Sequence, residues 1–188
     1  MCVQGLAPRV SSRAHLPYFC RRNIYYAFVN SHVAYGIEIY ANTSKTLLHK
    51  LHILNNKLLR ILQQRAPLTP IYQLYNTFNT LPIYLLYKQK ILELVHYSMF
   101  HDCDLPEVYC NYFIVNKLVH SYDTRQSNDL HIHYIKKSIG QRTVHHIGSV
   151  LWNSVPPVLK KCMSKKSFKS KLKMYLLSKM VEIGRAHV

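Results

Sequence analysis

Eight lysines (Lys160, Lys161, Lys165, Lys166, Lys169, Lys171, Lys173 and Lys179) follow one another with no acidic residue among them up to Val181. Like charges so close repel, which helps neither a helix nor compaction, and a polyanion relieves the repulsion by giving up its own counterions. The chemistry this run offers is the holding of phosphates, with Lys160, Lys161, Lys165, Lys166, Lys169 and Lys173 as candidate contacts. A second basic set, Arg21, Arg22, Lys57 and Arg60, lies in the first third of the chain. The histidines raise a different possibility. His131-x-His133 and His145-His146, with Cys103, Cys110 and His120, are residue types that ligate metals. Structural zinc sites pair their ligands at tight spacing, as in C-x2-C, and no such pair is present, so hydrogen-bonded or solvated histidines are expected and no metal site is assigned. Nor does any local motif bring a Cys or Ser nucleophile to a histidine base.

The charge is divided in a way that matters more than its total of +17. Residues 1–66 carry nine Lys/Arg against Glu38 alone, giving +8. Residues 67–115 carry Lys88 and Lys90 against Glu93, Asp102, Asp104 and Glu107, giving −2. Residues 116–181 carry thirteen Lys/Arg against Asp123 and Asp129, giving +11. Two basic blocks thus flank a neutral middle, so a phosphate backbone could be gripped by both ends while the middle packs. RNA and DNA are the expected partners, with an anionic membrane surface the rival. Apolar stretches are interrupted by Lys, His or Asn, so no segment is expected to span a bilayer, and Met1–Ser12 lacks the pattern of a secretory signal. Five scattered cysteines fit reduced thiols in a cytosolic or nuclear setting better than a disulfide framework.

The elements that would position these residues are mainly helical. A first, aromatic-rich helix is expected over Leu16–Tyr35, ending near Gly36. A second follows the capping oxygens of Asn42, Thr43 and Ser44, and stops before Pro67 and Pro70. In it Leu47, Leu51, Leu54, Leu58 and Ile61 repeat at steps of four and three, which predicts a buried stripe widened by Leu48 and Leu62. Further helices are expected over Ile71–Phe78 and Ile83–Phe100, with Tyr25, Tyr26, Tyr84 and Tyr87 reading as core. The polar stretch 115–147 predicts an irregular or small β-containing insert. A short helix at Ser149–Ser154 is closed by Pro156 and Pro157, with Trp152 plugging a core. The final basic helix, about Ser164–Ser178, turns Phe168, Leu172, Tyr175 and Leu176 inward. The fold class is mainly α: several amphipathic helices, the insert, and a basic C-terminal helix.

Five stretches in this order carry a resemblance: Tyr35-Gly36-Ile37-Glu38, His120-Ser121-Tyr122-Asp123-Thr124-Arg125, Gly140-Gln141-Arg142, Gly148 to Pro156 (GSVLWNSVP), and Phe168-Lys169-Ser170-Lys171-Leu172. From about Gly5 to Met180 the chain resembles the region after the polymerase palm in non-LTR (LINE-type) retrotransposon reverse transcriptases, of the jockey-like and tick-transposon-like kinds. Tyr40 departs from it, since relatives often carry tryptophan there. The resemblance implies a thumb-like basic segment at 1–66, a helical middle at 67–114, and an insert plus basic helix at 115–181. It also implies help in holding template RNA and the primed DNA end during target-primed reverse transcription, and Arg125 joins the candidate contacts. Such polymerases clamp two Mg²⁺ on palm carboxylates, usually a Tyr-x-Asp-Asp turn and a distant Asp. This chain has no Asp-Asp pair, its nearest imitation being Asp102-Cys103-Asp104. No cofactor is therefore expected here, and no polymerase activity of its own; the palm of the full-length protein, lying upstream of Gly5, would be a partner. Glu182 to Val188 back-translates into a string similar to a common sequencing-library adapter, so residues 182–188 are left out of the fold expectation. A rival origin is a host-domesticated nucleic-acid-binding or scaffold protein.

Overall fold

The computed structural model describes residues 16–101, 106, 109, 112–120 and 125–185. Prolines and capping side chains set most of the helix boundaries. Pro17 precedes α1 (Tyr18–Ile24), which runs through a π-helical stretch, Tyr25–Asn30, into α2 (Ser31–Ala34). Gly36, at φ +63°, supplies the left-handed turn into α3 (Ile37–Tyr40), a conformation costly for any residue with a Cβ. The Ser44 hydroxyl accepts from the Leu47 N–H at 3.4 Å and starts α4 (Lys45–Gln63). Pro70 and Pro82 stand immediately before α5 (Ile71–Phe78) and α6 (Ile83–Phe100).

The insert contains two single-turn helices, α7 (Asn116–Val119) and α8 (Ser138–Gln141), and one antiparallel bridge, Val115 to Leu130. That bridge is the only β-pairing among the described residues. Asn153 fastens the insert: its amide donates to the Leu130 carbonyl and accepts from the Leu130 N–H, both at 2.9 Å. Thr143 caps α9 (Val144–Asn153), which therefore begins five residues before the Ser149 expected from sequence. Pro156-Pro157 leads into α10 (Pro157–Lys160), and α11 (Lys165–Arg185) extends beyond the Ser178 limit expected for it. The fold is mainly α.

Helix α6 is the centre. Ile83, Ser98, Ile91, Leu92, His96 and Gln89 are buried on several of its sides, and α3, α4, α9 and α11 all pack on it. One hydrophobic core unites Tyr25 and Leu59 with Leu74, Phe78, Val95, Trp152, Phe168 and Leu172, so all three sequence segments share it. Trp152 is buried at the end of α9, as expected, with its ring 5.8 Å from that of Phe168. Gly148 lets α9 come close: a Cβ there would lie 2.7 Å from the Phe113 ring and 3.0 Å from Val95. Tyr25 is buried and Tyr26 and Tyr87 are partly buried, but Tyr84 is exposed, contrary to expectation.

The larger correction concerns α4. Leu47, Leu54 and Ile61 are 56, 54 and 70% exposed, while Leu51 and Leu58 are half-buried and Leu48, Leu51 and Leu62 pack at the margins of the core. The predicted leucine stripe is thus split and is not the fully buried face. The neighbouring face is buried instead, through Leu59, Asn55, Asn56 and Gln63. All but one of its side-chain amide groups find partners, most of them distant in sequence; the exception is the buried Gln63 Oε1, which has none among the described residues. Tyr25 donates to Asn55 Oδ1 at 3.3 Å, and Asn55 Nδ2 to the Tyr75 hydroxyl at 3.1 Å. Tyr75 donates in turn to Asn56 Oδ1 at 2.6 Å, and Gln63 Nε2 to the Leu74 carbonyl at 2.7 Å. Buried amides are tolerated when they are bonded in this way. Leu59→Ala should therefore cost about 2–5 kcal/mol, whereas Leu54→Asp, at an exposed site, should change stability by about 0.5 kcal/mol or less. Urea denaturation of both variants tests this assignment of faces, and a large loss in Leu54→Asp would refute it.

Candidate nucleic-acid interface

Helices α6 and α11 run antiparallel, and their seam brings the basic residues together. On α11, Lys165, Lys169 and Lys173 recur every four residues, which puts them on one line with steps of about 6 Å. Opposite them on α6 stand Tyr97, Glu93 and Gln89 at the same interval. The Lys165 ammonium lies over the Tyr97 ring, 4.4 Å from its centroid. Lys169 Nζ is 3.8 Å from Glu93 Oε2, and Lys90 Nζ is 3.9 Å from the same oxygen. Gln89 Nε2 donates to the other Glu93 oxygen at 2.8 Å. Lys173 is half-buried and in no ion pair with a described residue. Burial draws its ammonium below the usual lysine range, and Arg22 and Lys169 add to the effect by repulsion. The two basic blocks, far apart in sequence, thus meet at Arg22 and Lys173.

The remaining candidates divide by what they touch. Lys166 is exposed on α11, Lys161 is exposed at the end of α10, and Lys57 is exposed on α4. Lys160 is turned inward, donating to Asp129 Oδ1 at 3.0 Å and to the Asn153 carbonyl at 3.4 Å. Arg21, Arg22 and Arg60 act as ties within the fold. Arg21 donates to the Leu62 carbonyl at 2.9 Å, Arg22 to the Phe78 carbonyl at 3.3 Å, and Arg60 to the Thr69 carbonyl at 3.4 Å. Arg21 and Arg22 thus cap the final carbonyls of α4 and α5, a common use of arginine at helix C-termini. Arg22 also lies over the Tyr26 ring, 5.5 Å from its centroid. Arg125 is apart from the seam, at a cavity of the insert that His120, His131 and Asn153 also line.

Sequence reasoning missed the α6 side of the seam. The four-residue spacing of Gln89, Glu93 and Tyr97 was a readable signal, but only once a facing helix was known.

The histidines form a chain of rings: His120 to His131 at 5.6 Å, His131 to His133 at 4.7 Å, and His133 to His145 at 4.8 Å. Among the described residues no three His, Cys, Asp or Glu side chains are arranged to hold a metal ion. Cys103, Cys110, Asp102, Asp104 and residues 121–124 of the second motif lie outside the described residues. Cys20 and Cys162 are free thiols. Among the described residues no helix is long and apolar enough to cross a membrane. No protein-family model matches the chain, and neither a curated protein nor a solved structure shows significant similarity to it.

His96 gives the stability of the fold a pH dependence. It is fully buried, stacked on Phe168 at 4.2 Å between ring centroids, with Nε2 2.5 Å from the Cys162 carbonyl. Burial pushes its imidazole below the ordinary value; the Cys162 carbonyl opposes this, while His101 and Lys165 reinforce it. A depressed folded value means that the unfolded chain takes up the proton first as pH falls through about 6.5. The stability His96 contributes is therefore present above that pH and lost below it. Urea denaturation at about pH 7.5 and about pH 5 should show the fall, and His96→Leu should make it shallower.

Proposed function

We propose that the chain is a nucleic-acid-binding region of the kind that follows the palm in LINE-type reverse transcriptases, and that a strand's phosphates lie along the α6–α11 seam. The observation that carries this reading is the line of Lys165, Lys169 and Lys173, with Lys166 exposed on the same helix, against Glu93 as the one acid facing that line among the described residues. Phosphate contacts of this sort give affinity with little sequence preference. On the same reading, Mg²⁺ and the polymerase chemistry belong to the palm of a full-length protein, and this chain alone extends no primer.

Replacing Lys165, Lys166, Lys169 and Lys173 together with Gln tests the seam, since Gln has good helix propensity. RNA and DNA binding should weaken irrespective of sequence. The slope of log K against log salt should flatten by about 0.7–0.9 for each phosphate no longer neutralised. Circular dichroism reports whether α11 remains folded. Unchanged affinity with an unchanged slope would remove the seam from the interface.

A second reading, an anionic membrane surface as partner, is favoured by α4, where exposed Leu47, Leu54 and Ile61 lie near Lys50 and Lys57. Co-sedimentation with anionic vesicles, compared with RNA binding at matched salt, separates the two.

A further inference from the structure

A cleft of about 240 Å³ opens at one end of the lysine line, where the π-helical stretch and α2 face α6 and α11. Its mouth holds Lys169 and Lys173 beside Glu93. One wall is apolar, made by Ala34, Leu81 and Leu86, while Asn30 supplies an amide group and the buried Gln89, whose Nε2 is engaged by Glu93, an amide oxygen. Pockets for drug-sized ligands usually run to about 300–1,000 Å³, so this cleft takes one ring system and not a dinucleotide. The composition is that of a site for an anion joined to a flat, partly polar body. Amides both donate and accept, which suits the edges of a nucleobase, and Leu81 and Leu86 offer its faces an apolar surface. The ammonium of Lys173 is half-buried in no ion pair with a described residue, and Arg22 and Lys169 face it as like charges. A desolvated cation so placed is stabilised by an entering anion.

We propose that this cleft is a nucleotide subsite, which holds the phosphate of one nucleotide of a single strand on Lys173 and Lys169 and takes that nucleotide's base against Ala34, Leu81 and Leu86. The proposal rests on the strand lying along the seam, because Lys165 and Lys169 would then lead successive phosphates to the mouth.

The experiment titrates the full chain at low salt with adenosine monophosphate, inorganic phosphate and a short oligouridylate, in the wild type, Ala34→Phe and Lys173→Gln. In the wild type the mononucleotide should bind at least about fivefold more tightly than phosphate, because the base adds its own contact. Ala34→Phe fills the cleft and should bring the mononucleotide down to the level of phosphate while leaving phosphate unchanged. Lys173→Gln should weaken both. Thermal melting reports whether Ala34→Phe folds, and Ala34→Leu, a smaller plug, replaces it if it does not. Equal affinity for mononucleotide and phosphate in the wild type, or mononucleotide binding that neither variant alters, overturns the subsite. If the oligouridylate still binds in that case, the seam stands and only the subsite fails. If the oligouridylate does not bind either, both fail together.

Discussion

Helix α6 buries Ile83, Ser98, Ile91, Val95, Leu85 and Gln89 over more than half of its circumference, and a helix covered on so many sides has to be enclosed by several others. The rest of the architecture follows from that enclosure. Helices α3, α4, α9 and α11 supply the cover, drawn from both ends of the chain. The neutral middle of the sequence thereby becomes the axis on which two basic blocks are mounted. Helices α5 and α6 together hold Arg22 close to Lys173 against the self-repulsion of the blocks: Arg22 donates to the Phe78 carbonyl of α5, and α11 packs on both helices. The burial of Phe168, Leu172 and Leu176 against this axis offsets that repulsion. Glu93 contributes locally, serving Lys90, Lys169 and Gln89 with one carboxylate.

The cations are not equivalent, and the structure sorts them by what they already touch. Lys160 and three arginines bind carbonyls or a carboxylate of the fold, so their replacement would loosen the scaffold as well as reduce charge. Lys161 and Lys166 lie in water, where their contribution to stability is small. Lys165 and Lys169 are intermediate, each with one partner on α6. A polyanion that displaced Lys169 from Glu93 would exchange one carboxylate for several phosphate oxygens.

The helical class and most boundaries were legible because they depend on local chemistry. Ser44 before α4, Pro67 and Pro70 after it, and Pro156-Pro157 after α9 act within a turn or two of themselves. Trp152 was legible for the same reason, as a large ring at a helix end followed by prolines. The buried face of α4 was not. Two faces of that helix compete, one of leucines and one centred on Asn55 and Asn56. Hydrophobicity favours the first, yet the second is buried because Tyr25 and Tyr75 complete its hydrogen bonds from other helices. Arg21 and Arg22 read as ligand contacts for a similar reason: the carbonyls they cap belong to residues more than forty positions away. The cleft gathers residues from Asn30 to Lys173, and no spacing within the sequence announces it.

The three stripe residues left in water on α4, Leu47, Leu54 and Ile61, have a consequence for how the protein behaves as a colloid. At +17, copies repel at long range, and this repulsion keeps Leu47, Leu54 and Ile61 of one copy away from those of another. The Debye length shrinks from about 10 Å at 0.1 M salt to about 3 Å at 1 M, so the barrier thins as salt is added. Salt also detaches phosphates from lysines. For a polyanion bound as proposed, the concentrations that strip it from the chain would be those at which copies of the chain first approach each other through α4, and solubility and release would be set by the same ionic strength.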